Sequence, residues 1–193
     1  ISYHDFFKTK ELINKNQYDE ALTLLLDNLV IFNDLTNSDY HKLAETYLLI
    51  GKLHYIKQDY LNCYNWLHDA INMLERRLNE ANLDEYLITS RILSSFFIDI
   101  KHLQAKTCIA IFKETDNIKY LDNSLELYFE IVEVLKVFKL HMKNESSKLR
   151  NTETRITIMH EAIHLAMELY DLTNDDKYLE RAFYHAENTK SFV

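Results

Sequence analysis

Glycine occurs once in this sequence, as Gly51, and proline not at all, where average usage would put roughly 13 and 10 in a chain of 193 residues. Phosphate-cradling loops, dinucleotide fingerprints and nucleophile elbows need backbone freedom that a single glycine cannot supply, which excludes those enzyme classes. A β-sandwich or barrel needs many tight turns, and of the usual turn formers only Asn and Asp are plentiful. The expected fold is therefore all-α. Cysteine is also scarce. Cys63 and Cys108 each sit in an apolar helical pattern, too few for a disulfide framework or a zinc pair, and read as reduced core thiols of a cytoplasmic protein. Positive charge is in deficit, with 22 basic against 30 acidic residues and a net charge of -8, which argues against nucleic acid as a partner. The longest run lacking Asp, Glu, Lys and Arg is Tyr60 to His68, far short of the ~20 apolar residues of a membrane span, so no membrane association is expected.

What is present is ample apolar material, 47% of the chain, arranged at helical spacing. Apolar positions at i, i+3, i+4 and i+7 predict eight helices over 3–15, 18–34, 38–57, 60–81, 84–114, 118–143, 147–172 and 176–192. Asn and Asp clusters at 33–39, 116–117 and 173–176 mark turns, since their side chains cap helices where glycine is lacking. Four αα-hairpins follow, with no linker between them, and 1–193 reads as one domain. The chain starts with Ile1 and carries no basic-then-apolar leader, so it reads as a piece of a longer protein.

A phrase recurs along the chain. Gln58-Asp59-Tyr60-Leu61-Asn62-Cys63 is followed at +4 and +7 by Leu67 and Ala70, and preceded by Gly51 where two helices would cross. Gln17-Tyr18-Asp19-Glu20-Ala21 repeats it with Leu25 and Asn28, Tyr120-Leu121-Asp122-Asn123-Ser124 with Tyr128 and Ile131, and Tyr178-Leu179-Glu180-Arg181-Ala182 with Ala186 and Thr189. This pattern resembles the tetratricopeptide repeat (TPR), with helices longer than in the usual unit. The resemblance implies a TPR-like solenoid in which stacking buries the face that each hairpin alone leaves exposed. Ala21, Gly51, Cys63, Ala70 and Ala182 are the expected close crossings.

Several residue groups suggest chemistry. His160-Glu161-Ala162-Ile163-His164 matches H-E-x-x-H, which on a helix sets two imidazoles on one face for zinc and a Glu to deprotonate water. The place of a third ligand is taken by Tyr184, with Glu180 and Glu187 only nearby, and no strand for a substrate is legible. His160 and His164 therefore read as polar positions beside the apolar series Ile156, Met159, Ile163, Ala166, Met167 and Tyr170, and neither a metal nor another cofactor is expected. A metal-dependent hydrolase remains the least favoured alternative. Cys63 and Cys108 lack the electropositive, accessible setting of a reactive thiol. No enzyme activity is expected. Aromatics are abundant, 13 Tyr and 10 Phe, mostly as core filling. In a TPR stack the first-helix positions Glu45, Leu48, Lys52 and Tyr55 would face the concave side, as would Tyr3, Phe6 and Lys10 in the first hairpin and His160, Ile163 and Met167 in the last. That mixed polar and aromatic surface predicts a groove for a peptide or protein segment.

The last third carries a narrower likeness. Glu145-Ser146-Ser147-Lys148-Leu149, the helical run Glu161 to Leu169, and Ala182-Phe183-Tyr184-His185-Ala186-Glu187-Asn188-Thr189-Lys190-Ser191 together resemble the TPR region that precedes the caspase-like CHAT domain of bacterial proteins. In that family an S-E-E-S-x-L phrase opens a long helix, and an A-F-x-x-A-E-x-S-K-A-R phrase forms the last helix before the protease-like domain. The resemblance implies an interaction and regulatory scaffold, with a C-terminal domain of the same full-length protein as one partner. The family's His/Cys pair lies in that following domain, so no catalytic role carries over. A sensor array of a bacterial signalling or transcription regulator is the alternative. Ser191-Phe192-Val193 would leave apolar residues uncovered, to be covered by the next domain or, in the isolated module, by a second copy of the chain.

Overall fold

In a computed structural model the described residues are 3–33, 40–80, 83–141 and 145–190, and they form eight helices and no strand. These are α1 (Tyr3–Asn14), α2 (Tyr18–Asn33), α3 (Tyr40–Ile56), α4 (Tyr60–Glu80), α5 (Leu83–Thr115), α6 (Lys119–His141), α7 (Glu145–Thr173) and α8 (Lys177–Lys190). None of them is long and apolar enough to cross a membrane. The chain divides into two compact units, Ile1–Leu103 and Gln104–Val193.

Among the described residues, tight turns without glycine are made by four residues in the left-handed region: Asn16 (φ 59), Gln58 (φ 60), Asp116 (φ 52) and Asn174 (φ 54). Each ends the first helix of a pair. In the first unit both turns close as Schellman motifs, with the Gln17 amide donating to the Leu12 carbonyl at 2.9 Å and the Asp59 amide to the His54 carbonyl at 2.9 Å. Asp59 then caps α4. Its carboxylate accepts from Asn62 and from His54, and these bonds hold it below the ordinary carboxylate range.

The second unit uses a different turn, also twice. Thr115 and Thr173 each donate back to the preceding helical turn and accept the amide two residues on, from Asn117 and Asp175. Asn117 and Asp175 in turn accept the Lys119 and Lys177 amides, capping α6 and α8. Side-chain oxygen thus satisfies the orphan amides and carbonyls of each turn.

In the first unit α3 is buried on two faces, which explains its nearly continuous apolar run. Leu43, Ile50 and Leu53 pack with Ala21, Leu25 and Leu29 of α2, while Ala44 and Leu48 pack with Cys63, Leu67, Ala70, Ile71 and Leu74 of α4 and Ile100 of α5. Gly51 of α3 faces the Leu67 side chain of α4: a Cβ there would stand 2.6 Å from Leu67 Cδ2. In the second unit Leu121, Leu125, Tyr128, Ile131, Val132 and Leu135 of α6 are buried, as are Ile158, Met159, Ala162, Leu165, Ala166 and Leu169 of α7. The small positions of the recurring phrase, Ala21, Cys63, Ser124 and Ala182, are all buried. Ser124 keeps its hydroxyl satisfied by donating to the Ala105 carbonyl at 3.0 Å.

Candidate functional site

On α3, Glu45, Lys52 and Tyr55 reach the surface. Glu45 pairs with Lys10 of α1 at 3.0 Å, Lys52 is exposed, and Tyr55 is half-buried with its ring edge-on to Tyr60, centroids 5.4 Å apart. Leu48 does not join them. It is 4% exposed and packs into the α3–α4 core, because α3 is covered on two faces and the helical turn carrying Leu48 is one of them. On α7, in the other unit, His160, His164 and Met167 are exposed, Met167 to 39%, and Ile163 is half-buried. The Tyr3 and Phe6 side chains lie outside the described residues.

The α7 motif is divided by its neighbours. His160 and His164 point outward, but Glu161 accepts a hydrogen bond from Tyr128 of α6 at 3.0 Å and pairs with Lys106 of α5 at 3.2 Å. Glu161 thus ties α7 to α6 and α5. Among the described residues no three His, Cys, Asp or Glu side chains converge as metal ligands. Cys63 and Cys108 are both buried.

Sequence reasoning missed a second feature, a groove of about 500 Å³ between α6 and α8, lined in part by Asp122, Glu126, Phe129, Tyr178, Arg181 and Tyr184. Three rungs cross it. Tyr178 donates to Asp122 at 2.6 Å, Arg181 donates to Glu126 at 2.8 Å, and Tyr184 donates to Glu133 while accepting from Lys136 at 2.6 Å. Each ring also carries a cation: Arg181 stands over Phe129, Lys136 over Tyr184 and Lys177 over Tyr178, each 4.5 Å from the centroid. Burial raises the Tyr178 and Tyr184 phenols, with the neighbouring carboxylates adding to the shift, so both stay protonated donors. The Lys136 and Tyr184 donors hold the Glu133 carboxylate below its ordinary range.

No protein-family model matches this chain, and no curated protein does.

Behind the rungs, His185 is fully buried and neither of its ring nitrogens has a hydrogen-bond partner among the described residues. Burial, reinforced by Arg181 and Lys136, lowers its pKa from 6.5 to about 4, so the imidazole is neutral near pH 7. The acid-bearing positions Asp122, Glu126 and Glu133 recur on α6 at helical spacing, which is the one signal the sequence offers for the groove. Their pairing with α8 depends on two helices distant in the chain.

Proposed function

We propose that this chain is a partner-recognition and scaffold module: TPR-like helix hairpins, stacked as a solenoid, that take a protein or peptide segment and regulate a CHAT-like C-terminal domain of the same full-length protein. The observation that carries this reading is the repeated hairpin, in which a left-handed turn and a buried small residue recur in each pair while the first-helix positions Glu45, Lys52 and Tyr55 reach the surface. Such a surface offers an aromatic anchor one turn from an exposed ammonium, with an ion pair two turns further back along α3. These features suit an extended peptide with one apolar side chain and flanking charge. His160, Ile163 and Met167 on α7 offer a comparable polar and apolar face in the second unit.

The test is selection of a random peptide library on the immobilised protein, followed by titration of the best binder. Tyr55→Ala is expected to weaken binding by roughly tenfold, the size of a modest anchor residue, and Lys52→Glu to change chiefly its salt dependence. Binders that hold Tyr55→Ala and Lys52→Glu as well as wild type at every salt concentration would remove α3 from the recognition surface.

A further inference from the structure

Both α6 and α8 pack closely on α7, but they approach each other far less closely, so the seam between them is bridged by side-chain tips rather than filled by a core. Glu126 and Phe129 lie one turn apart on α6 and together make a receptor for a planar cation, a carboxylate beside an aromatic face. Arg181 of α8 occupies it, bonded to Glu126 at 2.8 Å and stacked over Phe129 at 4.5 Å, with about a third of its side chain still in solvent. The same chemistry recurs at Tyr184, where Lys136 stands over the ring and Glu133 binds the hydroxyl. Among the groove's lining residues the carboxylates Asp122, Glu126 and Glu180 outnumber the cations Lys177 and Arg181, and the chain as a whole carries -8.

We propose that the α6–α8 groove receives a basic segment of a partner protein, whose arginine takes the place that Arg181 fills in the unbound chain. The exchange is balanced at the receptor itself, because one guanidinium replaces another on the same ring and carboxylate. Net affinity comes from the remaining carboxylates, Asp122 and Glu180, and from release of Arg181 to solvent, where its rotamer freedom returns. An anionic ligand finds the opposite balance. It would add negative charge to a lining in which the carboxylates Asp122, Glu126 and Glu180 already outnumber the cations. The proposal rests on the partner-recognition reading in taking a protein segment as ligand, but places that segment on different helices.

The probe is a fluorescein-labelled peptide of alternating arginine and alanine, compared with its glutamate counterpart by anisotropy. Wild type is expected to bind the arginine peptide and not the glutamate one. In an Arg181→Gln background, where no internal guanidinium competes, Phe129→Leu and Glu126→Gln, two independent ways of removing half the receptor, should each weaken binding by roughly three- to tenfold, the size of one exposed cation–π contact or ion pair. Arg181→Gln empties the receptor and should tighten binding by a similar factor. Weaker binding by Arg181→Gln, preference for the glutamate peptide, or failure of the arginine peptide to bind would each overturn the proposal. So would an equal loss in the charge-matched control Asp27→Asn, an exposed position of α2 away from the groove, which would mean diffuse attraction to an acidic protein. Loss on Tyr55→Ala with no response at Phe129 would return the peptide to α3, ending this proposal while leaving the partner-recognition reading in place.

Discussion

Lowering the pH from about 6.5 to about 4, the unfolded and native values for His185, removes on the order of 3 kcal/mol of folding stability in wild type and little of it in His185→Phe. The sign follows from proton counting. Across that window the unfolded chain binds a proton at residue 185 and the native chain does not, so stability is complete above the unfolded value and is lost as pH falls toward the native one. Arg181 on the same helix and Lys136 on α6 act in the same direction, since a protonated imidazole would be a third cation in a buried site with no acceptor. The carboxylates held low by partners, Asp59 and Glu133, also lose stability in acid, but below their ordinary values of 3.8 and 4.5 and in both proteins alike. Urea unfolding of wild type, His185→Phe and His185→Leu at steps across the window separates the two effects. Parallel curves for all three would show that residue 185 does not titrate against folding.

At the α3–α4 crossing, Leu67→Ala is expected to cost about 3 kcal/mol, as a fully buried leucine that leaves a cavity. Gly51→Ala in the wild-type background gains about 1 kcal/mol of helix propensity but drives its methyl into Leu67, a clash worth roughly 1–3 kcal/mol, so it is neutral or destabilising. In the Leu67→Ala background the clash is gone, and the same Gly51→Ala change becomes stabilising by up to about 1 kcal/mol. The double-mutant cycle therefore carries a coupling of at least about 1 kcal/mol, read from urea midpoints at constant slope. Additive single changes would mean that Gly51 is not where the two helices meet.

Much of the fold is legible along the chain because its signals are local. The helix spacing and the Asn and Asp turns place every element to within a few residues: α4 is predicted over 60–81 and runs Tyr60–Glu80, and α7 is predicted over 147–172 and runs Glu145–Thr173. Gly51 is legible as a crossing since a lone glycine inside a strong helix has no other use there. The surface is less legible. Leu48 reads as a groove residue by repeat offset, yet it is core, because a helix packed on two sides has a narrow exposed stripe and an offset of one position leaves that stripe. The α6–α8 rungs join Asp122 to Tyr178 and Glu126 to Arg181 across 56 and 55 residues of chain with the whole of α7 between, and no local pattern encodes such a pairing. His185 carries no signal of its own in the sequence. Its burial follows from the tight α7–α8 packing and from the neighbours Tyr184 and Lys136, none of which spacing alone reveals.

Partner recognition through the first-helix faces is tested most directly by amide hydrogen exchange of the protein with and without its best selected peptide, mapped by fragment. The expected result is added protection across Tyr40–Ile56, centred on the turn that carries Lys52 and Tyr55, and its disappearance in Tyr55→Ala. Protection that leaves Tyr40–Ile56 unchanged, or that persists there in Tyr55→Ala, would contradict it.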